Sequence, residues 1–171
     1  MMTKLAPYAD VRRELLIGMV AAFFAEHYTI SENEPAQVNA ERLQAAEEDM
    51  KAWLEREDAA LFVIEEDGRE AGFLLLARHG GTVVWIENLY VKKELRRRGI
   101  ATRAIALAED YAAKVMKAPA VSMDVIPQNA AAMRLYHSLG YDTLQMVTMR
   151  KPLGGAKREG RTDLLGLSFR I

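Results

Sequence analysis

Apolar positions first recur at helical spacing and later alternate as in strands. The pattern predicts a helix from Asp10, which can cap it, to about His27, and a second, acidic helix over about 37–55. A polar break at 31–35 separates the two helices. The apolar run at 15–24 is too short to span a bilayer, so we interpret it as the buried part of the first helix.

Strand signals follow these helices. Residues 60–65 and 70–78 flank an Asp67-Gly68 pair, a combination typical of a β-hairpin, and 82–91 reads as a third strand. The remaining elements predicted are a helix over 99–117, a strand over 120–126, a helix from Asn129 to Gly140, and strands near 143–150 and 164–171.

This order of elements predicts an α/β fold of the α+β layered kind. We expect a mixed, mostly antiparallel central sheet with helices on both faces. With no repeat or linker, a single domain over 1–171 is expected, in which 154–171 is an extra C-terminal strand segment. Two routes could bury that segment: pairing with this sheet, or pairing with a neighbouring subunit's edge, which would make a homodimer.

Composition narrows the class of protein. The chain has 171 residues, half of them apolar, which is the composition of a globular domain. It has no cysteine, which excludes disulfides, thiolate metal sites and a cysteine nucleophile, and it begins without a signal-peptide pattern. We therefore expect a cytoplasmic protein with no membrane partner. The three histidines lack ligand spacing, so no metal site is predicted.

Charge is distributed unevenly along the chain. Residues 1–90 carry nine more acidic than basic side chains, and residues 91–171 carry eight more basic than acidic ones, which leaves the net charge of -1. One interpretation is a pair of ordinary solvated faces. The other is a basic half that binds an anion and an acidic half that attracts a cationic substrate.

The segment 90–103, YVKKELRRRGIATR, carries the clearest chemical signal. A strand ends, a basic loop follows and Gly99 opens a helix, whose first backbone N–H groups suit a pyrophosphate. The alternative is a solvated basic turn before an ordinary helix. The glycines and lysine of a P-loop or of a Rossmann fingerprint are missing.

Two motifs in this chain resemble those of one family. The run 96–101, RRRGIA, resembles the Arg/Gln-x-x-Gly-x-Gly/Ala signature of the GNAT acetyltransferase superfamily. The run 129–141, NAAAMRLYHSLGY, resembles that superfamily's Asn-x-x-Ala-x-x-Leu-Tyr-x-x-x-Gly-Phe/Tyr segment. Both stand in the expected order, and the resemblance covers roughly 60–151. The first strand of the family has only residues 3–6 to supply it.

The resemblance implies acetyl-CoA as co-substrate and a splayed strand pair that holds it. Backbone groups of the third strand would pair with the pantetheine arm, and one N–H would polarise the thioester carbonyl. The loop and helix start would bind the pyrophosphate, and the residue that begins the next helix would contact the arm. The implied cofactor-binding residues are Leu89, Tyr90, Val91, Arg96, Arg97, Arg98, Gly99, Ile100, Ala101, Thr102 and Asn129.

The resemblance also assigns the chemistry. Tyr136 would donate a proton to the CoA thiolate as a neutral amine attacks the thioester directly. From the residues alone, Tyr136 could equally be a buried aromatic of an amphipathic helix. The amine must first lose a proton, and Glu87, on the strand beside the proposed thioester site, is the candidate base. The alternatives for Glu87 are exposure to solvent or an ion pair with a basic residue.

The expected activity is acetyl transfer to a primary amine, with a cationic small molecule favoured by the acidic helices. A protein N-terminus or a lysine side chain is the alternative acceptor. A non-catalytic CoA-binding regulatory module is the competing hypothesis, and the retention of Tyr136 together with the glycine loop argues against it. Nucleic-acid binding is disfavoured, because the basic loop lacks interleaved aromatics and the isoelectric point is about 6.3.

Overall fold

A computed structural model describes residues 2–32, 35–154 and 160–171. They divide into two compact units, Met1–Asp124 and Val125–Ile171. In the part of the chain that the structure describes, every helix is too short or too polar to cross a membrane.

The first unit is a five-stranded sheet with three helices. The sheet order is β1-β2-β3-β4-β5, antiparallel except for the parallel pair β4–β5. The elements are β1 Thr3–Pro7, α1 Arg13–Glu32, α2 Ala40–Leu54, β2 Ala59–Glu66, β3 Arg69–Arg78, β4 Val84–Val91, α3 Ile100–Lys114 and β5 Val121–Ser122, with 3-10 turns at Asp10–Arg12 and Lys93–Leu95. This mixed α/β architecture and the short first strand confirm the prediction.

The ends of the two N-terminal helices differ from the prediction. Asp10 does not cap α1; it begins a 3-10 turn, and its carboxylate accepts the Tyr8 hydroxyl at 3.0 Å. The helix continues past His27 to Glu32, and within its last turns the hydroxyl of Thr29 donates to the carbonyl of Ala25 at 2.9 Å. The second helix starts later than predicted, because Asn39 provides its cap through Oδ1, which accepts from the N–H of Arg42.

Helices cover both faces of the sheet. One face packs against α1 and α2, where the buried side chains are Leu16, Met19, Val20, Ala46, Met50, Leu61, Val63, Phe73, Leu75 and Tyr90. The other face carries α3, whose buried side chains are Ile100, Ala104, Ile105, Ala108 and Ala112. The Phe62 and Tyr111 rings, 4.9 Å apart, join β2 to α3 on this second face. Because successive side chains of a strand point to opposite faces of the sheet, the apolar residues of these strands contribute to two apolar layers, one on each face.

Strands β4 and β5 diverge after a short contact. They pair at two positions, Val84 with Val121 and Trp85 with Ser122. Beyond Trp85, the outer edge of β4 has no strand partner within the described ranges. This divergence is the splayed strand pair that the resemblance implied.

Gly72 sets the closest approach of β3 to β4. A Cβ at this position would lie 1.9 Å from the carbonyl oxygen of Tyr90, which is backbone and has no room to move. We expect Gly72→Ala to destabilise the fold by about 3 kcal/mol, measured by urea unfolding. Gly18, in the interior of α1, has nothing within 4 Å, so Gly18→Ala should instead stabilise by about 0.8 kcal/mol. Equal stability of Gly72→Ala and the wild type would contradict this packing.

The second unit contains one helix and a small hairpin. Helix α4 spans Ala130–Ser138, is capped by the Oδ1 of Asn129, which accepts from the N–H of Ala132 at 3.2 Å, and is followed by Gly140 at φ 93°. Strands β6 (Arg161–Leu164) and β7 (Leu167–Arg170) form a separate antiparallel pair.

Two predicted C-terminal strands are wrong. Residues 143–150 form no strand, because their apolar positions change phase between Met146 and Val147 and therefore define no single face. The predicted strand at 164–171 is interrupted by a turn, with Leu165 and Gly166 both at positive φ. Its second half pairs with 161–164 and not with the large sheet. The homodimer stays a prediction.

Candidate functional site

The loop between β4 and α3 exposes a helix start to solvent. Gly99 takes φ 74° immediately before α3, a conformation that glycine adopts without strain. The first N–H to close the helix is that of Arg103, which donates to the Gly99 carbonyl at 3.1 Å. The three N–H groups before it, of residues 100–102, therefore have no helical acceptor, and the first turn holds no acidic residue. An anion is favoured here by both the free donors and the helix dipole.

Arg96 anchors this loop to the rest of the first unit. Its Nε donates to the carbonyl of Val91 at 2.8 Å, and its Nη2 lies 2.7 Å from the carboxylate of Glu26. Its guanidinium also lies 5.5 Å from the centre of the Tyr90 ring. Arg96 therefore holds the loop on β4 and α1, and its predicted contact with the cofactor stays a prediction.

Arg97 and Arg98 are the exposed cations of the loop. Arg97 stands at φ 62°, and neither side chain forms an ion pair with any residue in the described ranges. The Arg98 carbonyl accepts from Nη1 of Arg103 at 3.1 Å, which ties the loop to the helix that follows. Two unneutralised guanidinium groups beside a helix start create a strongly positive surface.

A β-bulge interrupts the pairing of β4 with β3. Asn88 pairs with Leu75 while Ile86 pairs with Leu76, so Glu87 is the extra residue on β4. Bulges of this kind redirect a side chain. Here the bulge accompanies a Glu87 side chain that reaches Arg56 and His79. Sequence alternation gave no sign of it.

Glu87 lies in a cluster of charged and aromatic side chains. Nη1 of Arg56 donates to both oxygens of the Glu87 carboxylate, at 2.8 and 2.9 Å, and His79 Nε2 lies 2.6 Å from Oε1. Arg56 is itself held by Asp58, at 3.2 Å from Nε, and by the carbonyl of Arg78, at 3.1 Å from Nη2. Of the two alternatives weighed for Glu87, the structure therefore has the ion pair. Its role as the base stays a prediction.

Two further members of this cluster were missed by sequence reasoning. The ring of His79 stacks on Trp85, with centroids 5.1 Å apart and planes 6° from parallel. Arg56 reaches Glu87 across 31 residues of sequence. Arg56 follows a helix and His79 follows a strand, and neither belongs to a recognisable sequence motif. Their proximity to Glu87 depends on how the strands pair in the folded protein, so the sequence alone did not reveal it.

The predicted residues of the second unit occupy one helix. Asn129 uses its Oδ1 for the cap of α4, which leaves its amide N–H donors outside the cap. Tyr136 lies in the last turns of α4, with its ring 6.3 Å from that of Tyr141. Burial raises the pKa of Tyr136 above the ordinary value of a phenol. Its hydroxyl therefore keeps its proton at neutral pH, and its role as the acid stays a prediction.

Comparison with known proteins places these features in a family. The model of the Acetyltransferase (GNAT) family matches residues 16–141. An uncharacterised N-acetyltransferase of Methanocaldococcus jannaschii is 33% identical over 84 residues, which cover 47% of this chain and 51% of that protein. The uncharacterised N-acetyltransferase YhfO of Bacillus subtilis is 32% identical over 105 residues, covering 58% of this chain and 70% of YhfO.

Solved structures share the fold at low identity. The aminoglycoside N-acetyltransferase AAC(6')-Iy, in complex with a CoA-containing bisubstrate analogue, superposes with a TM-score of 0.65 at 18% identity, covering 89% of this chain and 99% of that one. A tetramutant of the BH1408 protein of Bacillus halodurans gives a TM-score of 0.68 at 21% identity, covering 90% and 100%.

Proposed function

Because the chain belongs to the GNAT family of acetyltransferases, we propose that it transfers an acetyl group from acetyl-CoA to a primary amine. The observation that carries this proposal is the exposed start of α3, where three backbone N–H groups lack helical acceptors. Arg97 and Arg98 precede it in the chain and form no ion pair with the residues that the structure describes. A pyrophosphate offers the matching charge and acceptors.

The open edge of β4 is the second support. Residues 89–91 pair with β3 on one side and have no described strand partner on the other. A pantetheine arm carries amide groups that can pair with such an edge as an added strand does. In this proposal one N–H of the edge polarises the thioester carbonyl, as the family resemblance implies, and the arm is also contacted by Asn129.

The proposed reaction conserves its protons. The acceptor ammonium first loses one proton to the Glu87 carboxylate, directly or through one water. The neutral amine nitrogen then bonds to the thioester carbonyl carbon, the C–S bond breaks, and Tyr136 donates its proton to the thiolate. The second proton leaves the nitrogen as the amide forms, and it returns to the Tyr136 phenolate. The products are the N-acetyl amine and CoA thiol, with one proton released to solvent.

A cationic small molecule is the proposed acceptor. The first ninety residues carry nine more acidic than basic side chains, and α2 contributes several of them at Glu41, Glu47, Glu48 and Asp49. An acidic surface raises the local concentration of a cationic substrate. The structural neighbour AAC(6')-Iy is named an aminoglycoside N-acetyltransferase, and aminoglycosides are polycationic amines.

Free-thiol release tests the proposed activity. The purified protein is incubated with acetyl-CoA and, separately, with a polyamine, an aminoglycoside, a lysine-containing peptide and no amine. We expect thiol release that requires an amine and is fastest with a polycationic one. Release at the no-amine rate with every acceptor would contradict the proposal.

A further inference from the structure

His79 forms an ordered pair with Glu87 at the place where β4 and β5 diverge. Its Nε2 lies 2.6 Å from Oε1 of Glu87, and its ring stacks on Trp85, whose pairing with Ser122 is the last before the divergence. One hydrogen bond and one stacked face fix both the position and the plane of the imidazole. The side chain of His79 is 50% exposed and that of Glu87 only 17%, so the imidazole is the more accessible group.

The partners of Glu87 determine which nitrogen of His79 is basic. Within the described residues, the ion pairs that reach the imidazole run from His79 to Glu87, from Glu87 to Arg56 and from Arg56 to Asp58. An ionised carboxylate can only accept hydrogen bonds, so in the neutral ring Nε2 carries the hydrogen. The lone pair is then on Nδ1, on the side of the ring away from that bond.

We propose that His79 takes the proton from the acceptor ammonium at Nδ1, directly or through one water, while Glu87 acts as the positioning residue that orients the ring and balances its charge. This inference rests on the proposed acetyl transfer and reassigns the base within it. The ammonium N–H bond breaks, the Nδ1–H bond forms, and the imidazolium later releases that proton to solvent through its exposed side. No other reactant is needed.

The chemistry of the two side chains favours this division of roles. An imidazole has an ordinary pKa near 6.5 and a glutamate one near 4.3, so imidazole is by type the better base at neutral pH. The Glu87 carboxylate already accepts two donors on Oε1 and one on Oε2, all from His79 and Arg56. A carboxylate that binds and aligns an imidazole is a recurring arrangement in general-base catalysis.

The decisive variant is His79→Gln. Its side-chain amide can still donate a hydrogen bond to Glu87, but it has no basic nitrogen. We expect kcat with a polyamine to fall by about 100-fold, with unchanged calorimetric affinity for acetyl-CoA. The pH profile of the rate should also differ from that of the wild type, because the variant lacks this base. His79→Ala should lose the same activity and recover part of it on addition of free imidazole.

His27→Gln is the matched control, because His27 is an exposed histidine outside this cluster; it should keep the wild-type rate and pH profile. Wild-type activity in His79→Gln, or an unchanged pH profile in that variant, would overturn the role of His79. A wild type that transfers no acetyl group would instead overturn the proposed function, and the role of His79 with it.

Discussion

Gly99→Glu is expected to reduce the affinity for acetyl-CoA by at least about 100-fold, or about 2.7 kcal/mol. The new carboxylate would stand beside the three free N–H groups at the start of α3 and would take the place of a phosphate oxygen. It would also repel the pyrophosphate, since like charges in contact cost several kcal/mol. The loss is measured by isothermal titration calorimetry.

Strain and charge can be separated in this experiment. Gly68, in the β2–β3 turn, also has positive φ, and a Cβ there has nothing within 4 Å. Gly68→Glu therefore adds the same charge and a similar backbone strain away from the helix start, without the 2.9 Å contact that a Cβ at Gly99 makes with Nη1 of Arg103. It should bind acetyl-CoA like the wild type. Gly99→Ala should lose less affinity than Gly99→Glu. Unchanged affinity in Gly99→Glu would show that the phosphates bind elsewhere.

Tyr136→Phe is expected to lower kcat by about 100-fold while the affinity for acetyl-CoA stays within about twofold of the wild type. The change removes only the hydroxyl that would protonate the thiolate, a contribution typical of a positioned general acid. Because burial raises the pKa of Tyr136, the hydroxyl stays protonated at neutral pH. The wild-type rate should fall only at alkaline pH, where the phenol ionises, and the variant should lack that fall.

Tyr141→Phe is the matched control for Tyr136→Phe, since the two rings are neighbours in the same unit. It should retain kcat within about twofold. The two rates are compared with saturating acetyl-CoA and acceptor, so that a change in binding does not enter. If Tyr136→Phe kept the wild-type kcat, Tyr136 would not be the acid.

Local patterns were enough to predict most of the first unit. Asp67-Gly68 between two apolar runs predicted the β2–β3 hairpin, and the helical spacing after Gly99 predicted α3, because both signals act within a few residues. The loop at 96–99 was predictable for the same reason. Its glycine, its arginines and the helix that follows are consecutive in the chain.

Long-range register was not predictable in this way. The bulge at Glu87 depends on how β4 pairs with β3, and the ion pair of Glu87 with Arg56 depends on where α2 ends relative to that sheet. Neither the bulge nor the ion pair has a local sequence signature. From the sequence, Glu87 was therefore identified only as a single carboxylate on a strand. The strand predicted at the C-terminus was wrong for a related reason. Gly166 stands as a single glycine in an apolar run, which is no clear turn signal, yet it lies in the turn between β6 and β7.

The central claim, acetyl transfer from acetyl-CoA to an amine, is tested most directly by following the acetyl group itself. The protein is given acetyl-CoA with an isotope-labelled acetyl group and a polyamine, and the amine is analysed by mass spectrometry. We predict one labelled acetyl group on the amine for each CoA thiol released, and far less labelled product with Gly99→Glu when acetyl-CoA is near the wild-type Kd. Thiol release without label on the amine, or no reaction with any amine, would contradict the account.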